Sequence, residues 1–262
     1  MLDIFWLTVG VFFCLGLIFG SFTNALVWRG VRGKSIARGR SQCVHCDRQL
    51  RWFENIPLAS FIFLRGRCAT CHTPIPWQYP LIELGGGCLY ATIAVFSGGY
   101  FSVAGPVVRD IFFISIGLII FASDAQYQII FSSVAWVGAL LGLILNLFFP
   151  GPTLLMMALG ALVGGGFFGL QYIISHGRWI GGGDVRLGVM LGIWLGWREL
   201  LVALFIAYML GAAIGVALLA TGRRQRTSQI AFGTFLIIGA GIAHWYGEPI
   251  IRWYSSLLYG LY

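Results

Sequence analysis

Charge is what this chain has least of. Charged residues fill 10% of its 262 positions, against about 25% in a soluble globular protein. Apolar residues fill 58%, and the mean hydropathy is +0.85. That balance excludes an ordinary soluble domain and fits an integral membrane protein. The chain also lacks a Rossmann-type nucleotide site, in which a G-x-G-x-x-G turn follows a strand. Its glycine clusters ELGGG and LVGGGFFG lie inside apolar windows, where close helix packing is the expected use. An aromatic-interleaved basic face is missing too, so the net charge of +8 does not indicate nucleic-acid binding. No basic residues precede the first apolar window, which is too long for a signal-peptide core and runs straight into a basic segment; it is expected to be retained.

What is present in quantity is long apolar sequence. Windows of the kind that span a bilayer lie at 4–27, 81–98, 107–123, 129–148, 154–175, 185–198, 200–220 and 230–247. They predict an all-α polytopic membrane protein of about eight transmembrane helices, the sixth short. Three regions are expected: a first transmembrane helix (1–28), a cytoplasmic insert (29–80) and a membrane-embedded helical bundle (81–262). The basic residues set the orientation. Nine lie in one stretch (Arg29, Arg32, Lys34, Arg38, Arg40, Arg48, Arg51, Arg65 and Arg67), and Arg178, Arg186, Arg223, Arg224 and Arg226 flank later turns on the same side. Arg109, Arg198 and Arg252 fall on the other. By the positive-inside rule the insert is cytoplasmic and the N-terminus outside.

The insert carries two C-x-x-C pairs, Cys43/Cys46 and Cys68/Cys71. Each pair makes a knuckle offering two thiolates, and four thiolates close a tetrahedral zinc shell. About fifty residues bury little core, so the metal is expected to supply much of the insert's folding energy. A cytoplasmic location disfavours disulfides. A closed four-sulfur shell has no open position, so this Zn2+ is expected to be structural. His45 and His72 are alternative ligands, less needed with four cysteines available. Cys14 and Cys88 lie in apolar windows and are expected to be buried small side chains.

Two further stretches, FASDAQYQIIF and WIGGGDVRLG, place carboxylates where charge is costly. Alternating the spans brings Asp124 and Asp184 to one cytoplasmic rim. Two carboxyls sharing a site do not both ionise easily, so one keeps a proton and the pair can act as general base and general acid around one water. That is the division of labour for cleaving an amide without a covalent intermediate. Gly181, Gly182 and Gly183 are expected to form a short loop admitting an extended substrate backbone. The plainer possibility is that Asp184 only caps a helix. Among other polar residues, Glu83 is expected at the interface with a basic partner, the alternative being a place on the wall of the cytoplasmic cavity; Asn24 is expected in an interhelical hydrogen bond, and Arg178 as a topology anchor.

On these residues the chain resembles the bacterial prepilin leader peptidases, aspartic membrane proteases with a G-x-G-D motif. Gly181, Gly183 and Asp184 fill the motif, Arg186, Leu187, Gly192 and Gly196 continue it with Arg where Lys is usual, and Asp124 falls on the other catalytic aspartate. GSFTNALVWR (20–29), both cysteine pairs, RWFENIP (51–57), LRGRC (64–68) and YPLIEL (79–84) extend the resemblance. It departs at Phe131-Ser132, where members commonly have Pro-Asp. The resemblance implies that prepilins or pseudopilins are cut at the cytoplasmic face of the bacterial inner membrane, just after a short basic leader. It also implies N-methylation of the new N-terminus with S-adenosylmethionine. No residue pattern points to the methyl-donor site, to an oligomeric state, or to partners beyond substrate and membrane lipid. The competing class is a membrane scaffold or proton-coupled transporter with a structural zinc module, its aspartates forming a proton relay.

Overall fold

The computed structural model describes residues 2–36, 39–98, 104–221 and 231–259. Arg38, Arg223, Arg224 and Arg226 lie outside the described residues. The described chain is helical, without strands: α1 (Leu2–Val31), a one-turn 3-10 helix (Trp52–Asn55), α2 (Ala59–Phe63), α3 (Gln78–Phe96), α4 (Ala104–Tyr127), α5 (Ser132–Phe148), α6 (Leu154–Ser175), α7 (Gly182–Ala220) and α8 (Phe232–Tyr259). Among the described residues α1, α3, α4, α6 and α7 are long and apolar enough to cross a membrane, and α5 is a shorter apolar helix. The chain divides into two compact units, Met1–Ala122 and Ser123–Tyr262.

In the first unit α1 and α3 meet through glycine. A Cβ on Gly86 would lie 2.6 Å from the Gly16 carbonyl oxygen, and one on Gly20 would lie 2.7 Å from Glu83 Cα. Between helices in lipid there is no hydrophobic drive, so close backbone approach of this kind supplies the attraction. Asn24 makes the expected interhelical bond, donating from Nδ2 to the Tyr79 carbonyl at 3.1 Å. Tyr90 of α3 and Ser115 of α4 share a hydrogen bond of 2.6 Å. With the seam filled by glycine, Cys14 and Cys88 stand on the outward surfaces of α1 and α3 and are exposed, contrary to the expectation of burial. A small apolar side chain loses nothing by facing lipid.

The second unit is organised around a break. As one straight helix α7 would be about 58 Å long, roughly twice the apolar thickness of a bilayer. Gly196 interrupts it with φ 75° and ψ 174°, a conformation open essentially to glycine alone. The chain folds back there. A Cβ on Gly188 would lie 2.6 Å from the Phe168 ring, while the Tyr208 ring packs 5.8 Å from Phe167. Residues 188 and 208 would be about 30 Å apart on a straight helix, yet they touch adjacent residues of α6. The sixth and seventh apolar windows are therefore the two arms of α7, and the eight windows fall on seven long helices among the described residues.

A break frees carbonyls that must find donors. Asn146 of α5 donates from Nδ2 to the Ile193 carbonyl at 2.9 Å, with the Trp194 carbonyl at 3.3 Å. Trp194, 2% exposed, donates its indole N–H to the Gly138 carbonyl at 2.8 Å. α5 begins at Ser132 without a side-chain cap. Instead Arg186 donates to Ser132 Oγ at 2.6 Å. The two departures from the family pattern thus meet in one contact.

Candidate active site and metal centre

Asp124 sits in the last turn of α4 and is 5% exposed. Its Oδ2 accepts the backbone N–H of Thr234 at 2.7 Å, so the start of α8 presents free amide donors to the carboxylate. The Thr234 hydroxyl lies 3.0 Å from the same oxygen and 2.7 Å from the Ala231 carbonyl. One hydroxyl proton serves one acceptor at a time. When it points at Ala231, the other contact needs a proton on Asp124. Gly233 must be small, since a Cβ there would lie 2.9 Å from Asp124 Oδ2.

Asp184 is the third residue of α7, and its Oδ2 accepts the N–H of Gly181 at 3.1 Å. The helix starts earlier than expected. Gly181 takes the cap position, and Gly182 and Gly183 belong to the first helical turn and not to a loop. Asp184 reaches back to an otherwise orphaned cap amide, which is what draws the two glycines into the turn. No positive φ is needed at any of the three. The constraint is space: a Cβ on Gly183 would lie 3.0 Å from Cβ of Ile130, and Ile130 Cδ1 lies 3.1 Å from where a Gly233 Cβ would be. One isoleucine therefore bridges the glycine before Asp184 and the glycine beside Asp124. The Tyr208 ring packs tilted against Phe232, with centroids 4.9 Å apart.

Thr234, Gly233, Ile130 and Tyr208 were not singled out from sequence. The contacts that bring them in span up to 110 positions, and nothing local in IAFGTF marks a carboxylate partner.

In the insert the four cysteine Sγ atoms lie within 4.8 Å of one another, with Cys43 and Cys71 at 3.8 Å. A tetrahedron with zinc–sulfur bonds of about 2.3 Å has edges of about 3.8 Å, so the cluster fits zinc. The two knuckles repeat one geometry. Cys43 and Cys68 donate their N–H to the carbonyls of Arg48 and Thr73, and the fourth residue after each, Asp47 and His72, takes a left-handed φ of 51° and 55°. The N–H groups of Cys71 and Thr70 pull the Cys68 thiol down to about 6, which favours the ligating thiolate.

Beside this cluster Glu54, 7% exposed, takes both Arg48 nitrogens at 3.1 and 2.8 Å and the Arg51 N–H at 2.6 Å. The Arg48 guanidinium holds its carboxyl below the ordinary 4.5. A lowered folded value stabilises above 4.5 and loses that stabilisation as pH falls through it. Glu54→Gln should therefore make residues 40–75 more protease-sensitive than wild type at pH 7, and the two proteins should converge below 4.5 in limited proteolysis. Glu83 does not meet the expected basic partner. It accepts the N–H of Leu58 at 2.8 Å, presented by a residue whose φ is +57°.

A helical membrane protein that gathers two carboxyls among glycines in one unit and four thiols in the other belongs to a narrow class. The bacterial peptidase A24 N-terminal domain matches residues 14–97, and the type IV leader peptidase family matches residues 111–216. The prepilin leader peptidase/N-methyltransferase of Bacillus subtilis is 31% identical over 252 residues, covering 96% of this chain and all of the relative. The enzyme of the same name from Aeromonas hydrophila is 28% identical over 96% of this chain and 95% of its own. That from Myxococcus xanthus is 36% identical over 80% and 63%. The chain belongs to the type IV leader peptidase family. No solved structure matches it.

Proposed function

We propose that this chain is a membrane endopeptidase that removes the short basic leader from prepilins or pseudopilins at the cytoplasmic face of the bacterial inner membrane, and then methylates the new N-terminus. Asp124 and Asp184 are the catalytic pair. The observation that carries the reading is the Ile130 bridge, which ties the surroundings of both aspartates together within one unit. One carboxylate takes a proton from a water as its oxygen attacks the scissile carbonyl, while the protonated partner hydrogen-bonds the carbonyl oxygen. Thr234 holds Oδ2 of Asp124, and Gly181 holds Oδ2 of Asp184. Gly181 and Gly182, where an added Cβ would meet nothing closer than 3.8 Å, give room for an extended peptide beside Asp184.

The four cysteines hold a structural zinc, and the metal takes no part in hydrolysis. Methylation uses S-adenosylmethionine as the donor: an N–C bond forms at the substrate amine, the donor's S–C bond breaks with its electron pair left on sulfur, and one proton is released. The test is incubation of purified protein with a prepilin and mass spectrometry of the product. Leader removal is expected. An intact prepilin, or proton transport without a processed product, would favour the transporter reading instead.

Two variants probe the site's walls. Thr234→Val keeps the backbone N–H but deletes the hydroxyl, and a hydrogen bond to a charged group is worth about 1.5–3 kcal/mol. Turnover should fall roughly tenfold or more, KM should change little, and Thr234→Ser should restore activity. Gly183→Val adds a β-branched side chain against Ile130. It should depress cleavage more than it lowers the thermal unfolding midpoint; an effect on stability alone would mean that the glycine serves packing only.

A further inference from the structure

The first unit contains a cavity that neither the metal nor the aspartates use. It lies between the C-terminal half of α1, both cysteine knuckles, α2 and the start of α3. It encloses about 1090 Å³ of empty space, counting its open mouth, of which about 160 Å³ is room for the centre of a water. At roughly 10–15 Å³ per water centre that is space for a cofactor, not for one trapped solvent molecule.

Its polar lining is incompletely satisfied. Asn24, 4% exposed, lines the cavity and spends its amide on Tyr79, but its Oδ1 is buried without a partner. Leaving a buried acceptor unpaired is costly, so such a group points to something that binds it. The two carboxylates on the wall differ. Glu54 is neutralised by Arg48. Glu83 has no cation within ion-pair distance among the described residues and is held by two neutral groups, the Leu58 N–H at 2.8 Å and the Ser21 side chain. A half-buried carboxylate without a counter-charge is a site for a cationic ligand.

We propose that this cavity is the methyl-donor site. Glu83 faces the positive sulfonium of S-adenosylmethionine, and Asn24 Oδ1 accepts from the polar part of the donor. The proposal rests on the methyl-transfer reading above. It places donor binding in residues 21–83, within the unit that holds the metal cluster.

The test uses the full-length protein in lipid nanodiscs with methyl-tritiated S-adenosylmethionine. Equilibrium dialysis gives affinity, and ultraviolet cross-linking followed by peptide mapping gives the location. The label is expected on peptides within residues 21–83. Glu83→Gln, which keeps shape, and Asn24→Ala should each weaken donor binding roughly tenfold or more, with leader cleavage by the same preparations as the fold control. Label confined to residues 123–221, a substrate peptide cross-linked in the cavity in place of the donor, or wild-type affinity in both variants while methylation persists would overturn the cavity assignment and leave methyl transfer standing. A wild-type protein that cleaves prepilin but neither binds the donor nor methylates would overturn both.

Discussion

Asp124→Asn and Asp184→Asn should each lower leader cleavage by about two to four orders of magnitude, the range that positioned acid–base catalysis supplies. Asparagine keeps the shape of the side chain and still accepts from Thr234 or Gly181, but it cannot exchange a proton. Asp184→Asn is the sharper of the two. Asp184 reaches back to the Gly181 N–H at 3.1 Å, and asparagine serves well in such local bonds. If capping were its whole role the variant would keep near-normal turnover and unfold like wild type. Single-turnover rates on detergent-purified proteins, with circular dichroism to check the helices, separate these outcomes.

The second large effect concerns the metal. Wild-type protein purified under reducing conditions should carry about one zinc per chain, and the Cys43→Ser/Cys46→Ser protein none, as read by elemental analysis. Structural zinc contributes about 10–16 kcal/mol of apparent binding energy in small finger peptides. The insert has little else to replace that: one short α-helix, one 3-10 turn and two isolated bridges, Gln42–Gln49 and Arg67–Pro74. Its loss should open residues 40–75 to protease. Leader cleavage should survive in part, because both aspartates belong to the other unit. Methylation should fall further than cleavage, since both knuckles wall the proposed donor cavity. Wild-type protein that is folded and metal-free would defeat the zinc assignment.

Much of this was legible in sequence because its causes are local. Apolar windows reveal helices in a solvent that satisfies no backbone group, and all eight fall on helices here. The cysteine pairs are legible because a knuckle is built from contiguous residues. The glycine clusters ELGGG and LVGGGFFG carry packing surfaces in part: Gly86 meets the Gly16 backbone and Gly164 the Gly188 backbone, while Gly85 and Gly166 have no neighbour within 4 Å. What stayed hidden depends on distant partners. Gly196 was visible as part of a motif, but its left-handed break and the folding back of α7 follow from contacts with α5 and α6. Gly182 and Gly183 read as a loop because glycine permits backbone angles and close approaches barred to other residues, whereas the Asp184 cap holds them in a turn. Thr234 lies 110 positions from the carboxylate it serves. The Arg186–Ser132 bond shows the converse: two local departures from a pattern, unconnected on the page of sequence, are one hydrogen bond in space.

Central to the proposed mechanism is the joint action of Asp124 and Asp184 on one water. Its most direct test is a double-mutant cycle: single-turnover cleavage of a prepilin by wild type, Asp124→Asn, Asp184→Asn and the double variant. Residues that act together lose almost everything when either is removed. The double variant should therefore be no slower than the slower single variant. Losses that multiply, or a single variant that cleaves at near wild-type rate, would contradict the shared dyad.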